Sequence, residues 1–485
     1  MAGFKPLTAY TAALDAGYSL LPMRFHRMPS GKVFVSNIVG EWELLSPDVF
    51  QSFVSGKLPH STVEYADLKA KHFLMDADST VAVDLLSIKL RTRLSHLAHV
   101  FGLAIFVVTL RCEHSCPYCQ VSRQSDDKAA FDMSEETALL ALNSLMSSPI
   151  KDVKIEFQGG EPLLNFELIR FIVLEGKRLA ADAGKRVSFV ITTNLALISD
   201  DILAFCKEHE ILISTSLDGP ADLHNANRPR RGNNSHELAV AGIRRSAESL
   251  GEDRVAALMT TTKASLGRVE EIIDEYRRNG LHEIFLRPMS PYGFAVKTKW
   301  FKAYDEQEWI DFYRRGLRYI IDMNRRGERM VELYALTILG KMLTGRPGGF
   351  VDMMNPAGIG NKVIVFNYDG DVYASDEARM LAEMGDTSFR LGRVQDGALG
   401  ELATGPVLLD AIEQSVLETS PMCSDCAFQP YCGADPVYHH ATQGDFTGHK
   451  PTSGFCQRQM AIFETLVEIM DADPEGAAIL RSWVN

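Results

Sequence analysis

The sequence predicts an α/β protein whose parallel sheet closes part-way into a barrel, and three observations predict it. Between residues 103 and 287, short β-rich runs alternate with amphipathic helical stretches, the pattern of βα units feeding a parallel sheet. The unusual residues of this stretch fall just past the strand ends, where parallel α/β folds build their sites. Six such units are present, which suggests an open, partial (β/α)6 barrel, since a closed one takes eight strands.

The expected strands are 103–110, 153–157, 187–192, 211–216, 255–261 and 283–287, with helices at 134–145, 166–183, 200–209, 237–250 and 269–278. The first strand runs into Cys112-Glu-His-Ser-Cys116-Pro-Tyr-Cys119. The second ends on Gln158-Gly-Gly-Glu-Pro162, the third on Thr192-Thr-Asn194, the fourth on Ser216-Leu-Asp-Gly-Pro220 and the sixth on Arg287-Pro288. Motifs from separate strands would thus converge on one mouth.

The flanks read differently. Residues 1–100 carry a hairpin, 32–37 and 41–45 around Val39-Gly40, then helices at 47–55, 63–73 and 81–99, the outline of a winged-helix-like unit. Residues 301–349 read as a helical linker (305–323 and 329–343) ending in Gly345-Arg-Pro-Gly-Gly349, a loop signal. Residues 350–485 hold a hairpin at 363–373 with Asp369-Gly370 at its turn, a second group of cysteines and a final helix at 455–470. The expected domains are therefore 1–100, 101–300, 301–349 and 350–485.

A chain of 485 residues exceeds one core, and 46% hydrophobic with 23% charged residues is ordinary globular composition. The net charge of −13 argues against general affinity for nucleic acid or anionic membranes. No basic region followed by an apolar core opens the first 24 residues, and the apolar run 103–110 is too short to span a bilayer. The expectation is a cytoplasmic protein, where clustered cysteines mean metal or redox chemistry. Seven of the eight cysteines fall in two groups, 112/116/119 and 423/426/432/456; Cys206 stands alone and reads as a core thiol.

Cys112, Cys116 and Cys119 supply three soft ligands on one short loop. Structural zinc wants four ligands in a closed tetrahedron. An iron–sulfur cubane held by three thiolates keeps one iron open to a small molecule.

This loop on the first strand of a βα barrel resembles the radical SAM superfamily, over roughly residues 103–290. The resemblance implies a [4Fe–4S] cluster on Cys112, Cys116 and Cys119, with S-adenosylmethionine (SAM) chelating the fourth iron and cleaved to a 5′-deoxyadenosyl radical. It also implies SAM contacts from Tyr118 near the adenine, from Gly159, Gly160 and Glu161 toward the amino group, and from Thr193 and Asn194 near the ribose. Ser216 and Arg228 match a pair that contacts SAM in the peptide-modifying branch, Arg228 taking the carboxylate, a task that suits a guanidinium fork.

Cys423-x2-Cys426-x5-Cys432 followed by Cys456 resembles the SPASM extension of peptide-modifying members. Two further cysteines of that pattern would fall at 375 and 436, where this chain has Ser375 and Pro436. The resemblance therefore implies one auxiliary [4Fe–4S] cluster on four cysteines; a structural zinc site is the other reading of the same four. Asp376 occupies the place of a catalytic acid in sulfatase-maturating relatives, and an exposed turn residue is the plain alternative. His439 and His440 read as packing or surface residues. The stretch 18–25 with the following hairpin is similar to the start of His-Xaa-Ser system radical SAM maturases. That outline implies either leader-peptide capture on a sheet edge or a generic folded cap.

The expected activity is radical modification of a ribosomally made precursor peptide by crosslinking, epimerisation or oxidation. The expected partners are that peptide, an electron donor such as flavodoxin or ferredoxin, and a second radical SAM maturase. The rivals are a sulfatase-maturase-like oxidase of a protein Cys or Ser, and a non-catalytic peptide-binding partner of another maturase.

Overall fold

A computed structural model of the protein describes residues 17–98, 102–345, 348–397, 399–402 and 404–484. The expected helix end at 99, residues 346–347 of the expected linker and the first 16 residues of the signal-peptide window lie outside these. The chain divides into two units: residues 1–96, 338–347 and 417–432, and residues 97–337, 348–416 and 433–485.

In the first unit, β1 (Tyr18–Leu20) pairs antiparallel with β5 (Leu74–Asp76), and β2 (Met23–Arg27), β3 (Val33–Asn37) and β4 (Trp42–Leu45) form an antiparallel sheet. The expected hairpin is β3–β4; β2 adds a third strand whose exposed and half-buried residues weaken its sequence signal. Helices α1 (Pro47–Val54), α2 (Val63–Ala70) and α3 (Ala82–Leu94) complete the unit. Ser46 and Thr62 cap α1 and α2 through the N–H groups of Val49 and Tyr65. Phe53, Leu68 and Phe73 are fully buried and anchor the core against β1, β3 and β4.

The second unit is built on an eight-stranded sheet. β6 (Leu103–Thr109), β7 (Asp152–Gly159), β8 (Arg186–Thr192), β9 (Leu212–Ser216) and β10 (Val255–Leu258) run parallel in sequence order. The sixth expected strand shrinks to β11 (Glu283–Ile284), which pairs with β12 (Val331–Glu332) apart from the main sheet. The sheet grows instead on the far side of β6. There β13 (Val363–Phe366) aligns parallel, Val363 opposite Leu103, followed by β14 (Asp371–Tyr373) and β15 (Arg390–Arg393). The hairpin expected in a separate C-terminal domain is thus continuous with the barrel sheet.

Helices α4 (Glu135–Met146), α5 (Phe166–Asp182), α6 (Asp200–Glu208), α7 (Ser235–Leu250) and α8 (Val269–Arg278) follow these strands. α4 and α6 start on Ser134 and Ser199, whose hydroxyls accept from Thr137 and Ile202, with acidic residues in the first turn. β7 shows how the strands serve two faces: Val153, Ile155 and Phe157 are buried, while Lys154, Glu156 and Gln158 line a cavity of about 620 Å³. α9 (Glu306–Arg325), opened by an Asp305–Glu308 capping box, packs on α8 and on the C-terminal helices. α10 (Asp376–Ala382) and α11 (Pro436–Gln443) pack on each other, and the C-terminal helices that α9 meets are α12 (Gly454–Ala472) and α13 (Pro474–Ser482). No helix among the described residues is long and apolar enough to cross a membrane.

Candidate active site at the strand ends

The cysteine loop leaves β6 and is pinned from two sides. On one side the second strand end closes on it: the N–H of Gly160 donates to Thr109 O at 2.8 Å and that of Glu161 to Arg111 O at 2.7 Å. The approach leaves no room for a side chain, because a Cβ on Gly160 would stand 2.2 Å from Arg111 O and 2.6 Å from Leu110 O. The glycine is required by the loop's own backbone. On the other side His114 bridges Arg230, and the Ser115 N–H donates to Pro229 O at 2.7 Å. The loop that carries Arg228 is thereby fastened to the loop that carries the cysteines.

Glu161 is fully buried. Its oxygens accept from the Thr193 hydroxyl at 2.7 Å, the Asn194 N–H at 2.8 Å and the Leu163 N–H at 3.0 Å. Burial and the charge of Glu113 push its pKa up to about 7, against the three hydrogen bonds that favour the carboxylate. Asn194 reaches back through Nδ2 to Glu113 Oε1 and His114 Nδ1, both at 2.9 Å. The ends of β7 and β8 and the cysteine loop form one hydrogen-bonded network.

A second network joins Tyr118 to the fourth strand. Ser216 closes β9 opposite Leu258 of β10. Two residues on, Asp218 is fully buried, and its Oδ2 accepts from the Tyr118 hydroxyl at 2.5 Å and from Arg228 Nε at 3.1 Å. The Arg228 guanidinium lies over the Tyr118 ring, 5.5 Å from its centroid. Burial alone would lower the Arg228 pKa, but Asp218, Tyr118 and Cys116 around it raise it, so the group stays charged. Nearby His224 is buried and pushed down to about 3, and its Nδ1 accepts the Asp218 N–H at 3.2 Å. Tyr118 also packs on Met289 and Ala295, and Met289 lines the cavity.

These residues fit an iron–sulfur cluster with an open iron. Burial raises the Cys112 thiol well above its ordinary value and pushes Cys116 up to about 12. Thiols in such surroundings ionise when a metal supplies the compensating charge. The Nη groups of Arg228 have no hydrogen-bond partner among the described residues, which leaves a fork for a carboxylate.

The remaining predicted residues are dispersed. Asp376 opens α10 on the cavity wall and pairs with the buried Arg379 at 3.1 Å. Ser375 and Pro436 both start helices: Ser375 caps α10 through the Ala378 N–H at 3.1 Å, and Pro436 is the first residue of α11. In the first unit, the Cys426 N–H donates to Cys423 O at 3.1 Å and the Cys432 N–H to Phe428 O at 3.0 Å. In the second, Cys456 lies in the first turn of α12, its N–H capped by Ser453 at 3.2 Å. Cys206 is fully buried, and burial pushes its thiol up to about 12. His439 is buried between Asp435 O and Ser453 Oγ, both at 2.8 Å, and His440 pairs with Asp386 at 2.8 Å.

Sequence reasoning passed over Asp218, a member of a strand-ending turn, and the polar face of β7. The second had a signal. Lys154-x-Glu156-x-Gln158 alternates polar residues along a strand of a parallel sheet, where both faces are usually apolar.

Residues 106–276 match the Radical SAM superfamily. The chain thus carries a radical SAM domain over that stretch. More particularly, it is similar to the serine-type anaerobic sulfatase-maturating enzyme of Klebsiella aerogenes, 22% identical over 345 residues, 68% of this chain and 78% of that one. The solved structure of anSMEcpe with bound AdoMet and Cp18Cys peptide superposes with a TM-score of 0.63 at 18% identity, covering 78% of this chain and 99% of that one. Streptococcus suis SuiB bound to precursor peptide SuiA gives a TM-score of 0.55 at 15% identity, covering 91% and 100%. At such identities the two superpositions speak to the fold.

Proposed function

We propose that this protein is a SPASM-type peptide maturase that uses radical SAM chemistry to modify a ribosomally made peptide. The observation that carries the reading is the fastening of Arg228 to the cysteine loop through Asp218, Tyr118 and the His114–Arg230 bridge. It ties a charged fork and an aromatic ring to the loop that carries the three cysteines. Met289, which packs on Tyr118, also lines the cavity.

In this reading Cys112, Cys116 and Cys119 hold a [4Fe–4S] cluster and Arg228 receives the SAM carboxylate. Gly159, Gly160, Glu161, Thr193, Asn194 and Ser216 shape the rest of the SAM site. When bound, cluster and SAM together supply a carbon-centred radical that abstracts hydrogen from the substrate. The chain's own residues orient SAM, keep it charge-paired and exclude water with Tyr118 and Met289. Asp376, held by Arg379 on the cavity wall, would take a proton from the substrate. Cys423, Cys426, Cys432 and Cys456 would hold one auxiliary [4Fe–4S] cluster, a proposal that rests on their spacing. A precursor peptide, an electron donor of the flavodoxin or ferredoxin kind and a second maturase are the partners of this reading. Relatives solved with bound peptides support the substrate class.

The test is anaerobic reconstitution followed by assay of 5′-deoxyadenosine, with mass spectrometry of a candidate precursor co-expressed with this chain. A mass loss of two hydrogens per event, or a mass unchanged in H2O with deuterium taken up in D2O, supports the reading. A verified cluster that yields no 5′-deoxyadenosine overturns it.

A further inference from the structure

One wall of the cavity carries a cluster of half-buried carboxylates. Asp352, Asp376, Glu377 and Asp435 all line it. Glu377 lies in the first turn of α10 and Asp435 caps α11 through the Tyr438 N–H at 2.8 Å; the two helices pack together. Asp352 is brought alongside by Gly433. A Cβ there would stand 2.2 Å from Asp352 O and from Met353 Cα, and the next N–H, of Ala434, donates to Met354 O at 3.1 Å. Backbones that close leave no space between the 352 and 435 segments.

Two nearby arginines already hold partners of their own. Arg379 is paired to Asp376 at 3.1 Å, and Arg458 donates to Glu306 at 2.6 Å. Arg287 also lines the cavity and acts on Glu377 through its charge. Burial, with the charges of Asp376 and Asp352, raises the pKa of Glu377; burial, with those of Asp352 and Glu377, raises that of Asp435. Among the described residues the Glu377 carboxylate accepts only its own backbone N–H. Among the described residues the Glu377 carboxylate is therefore left without a side-chain donor, and its charge acts on Asp435.

An independent feature points to a ligand. Tyr292 is 1% exposed, lines the same cavity and has a buried hydroxyl with no hydrogen-bond partner. Asp435, Glu377 and Asp352 all act on it through their charges. A buried hydroxyl without a partner is costly unless something bound there completes it.

The geometry points to a specificity subsite for a cationic side chain: Tyr292, Glu377 and Asp435 receive the lysine ammonium or arginine guanidinium of the substrate peptide. The inference rests on the peptide-maturase reading above. Both cations bring several N–H donors and no acceptor, the complement of carboxylates and a phenol oxygen. A desolvated, hydrogen-bonded charge pair of this kind discriminates strongly against uncharged isosteres.

The test uses the reconstituted full chain with SAM and a set of capped pentapeptides, Ac-Gly-Gly-X-Gly-Gly-NH2, with X as lysine, arginine, norleucine or glutamate. Binding is read by equilibrium dialysis and turnover by 5′-deoxyadenosine. The lysine or arginine peptide should bind at least about tenfold more tightly than norleucine, and Glu377→Gln should remove that preference. Tyr292→Phe should weaken it severalfold, an arm that stands if Glu377→Gln does not fold. Equal binding of norleucine or glutamate, or a preference that survives Glu377→Gln, overturns the subsite. Displacement of the lysine peptide by Mg2+ or Ca2+ overturns it in favour of a metal site. Free 1,5-diaminopentane separates the two readings. If it binds and Glu377→Gln abolishes its binding while no peptide stimulates 5′-deoxyadenosine formation, the cation site stands and the peptide reading falls.

Discussion

Asp218 and Arg228 form a buried ion pair, Oδ2 to Nε at 3.1 Å, on the oxygen that also accepts the Tyr118 hydroxyl at 2.5 Å. The pair connects the turn after β9 to the residue preceding Cys119, so the cation proposed to hold SAM is set by a carboxylate that need not touch SAM. Asp218→Asn leaves Arg228 without its counter-charge in a buried site. The expected cost is about 3–5 kcal/mol of stability, with SAM affinity weakened by about tenfold or more. Urea titration and equilibrium SAM binding read the two effects. Unchanged SAM affinity in a folded variant would show that Arg228 is placed by other contacts.

Gly160 tests the packing of the cysteine loop. Alanine there places a methyl group 2.2 Å from Arg111 O, and the obstacle is backbone, which cannot rotate away. Overpacking of this kind costs about 1–3 kcal/mol. The collision displaces the segment leading into Cys112, so iron bound per chain should fall along with the melting temperature. A Gly160→Ala protein with a full complement of iron would place the requirement for glycine on SAM alone.

Glu161 gives the protein a pH dependence of known sign. Its pKa is about 7 in the folded chain against an ordinary value of 4.5. The folded state holds the proton more tightly, so the associated stability is complete below about pH 4.5 and is lost as pH rises through about 7. The gap corresponds to roughly 3 kcal/mol. In SAM-free protein, unfolding free energy should decline from pH 5 to pH 7.5. Glu161→Gln should flatten that decline while losing about 1–3 kcal/mol throughout, because an amide cannot accept from all three donors.

The sequence made the barrel legible because its signals are local. Five of the six expected strands join one parallel sheet, and the strand-end motifs do converge: Gly160 closes on Arg111, Glu161 on Thr193 and Asn194, Asn194 on His114. Less legible was anything set by pairing across long separations. β13 joins β6 from 260 residues away (363 against 103), and no periodicity within either strand encodes that partner. Asp218 was hidden because a turn Asp and a buried counter-ion look alike until the residue ten positions on folds back to it. Glu377 and Asp435 lie 58 residues apart (435 less 377) in unremarkable helix starts, so their shared wall exists only in three dimensions.

Asp376 offers the sharpest separation of chemistry from architecture. Its carboxylate pairs with Arg379, a guanidinium that is fully buried and also donates to Val121 O at 3.1 Å. Removing the charge from Asp376 should therefore disturb two things at once, the local pairing and any proton transfer to the cavity. Asp376→Asn keeps the shape and one acceptor for Arg379, so the fold should survive with a loss of about 1–3 kcal/mol. If Asp376 accepts a proton from the substrate, the variant should still cleave SAM and abstract hydrogen, while modified peptide falls by about 100-fold or more. 5′-Deoxyadenosine would then accumulate in excess over product, and deuterium from a labelled substrate would still appear in it. Asp376→Glu should restore part of the yield if a proton acceptor is what is missing. Product and 5′-deoxyadenosine falling in step would instead assign Asp376 to holding Arg379, with the proton leaving by another route.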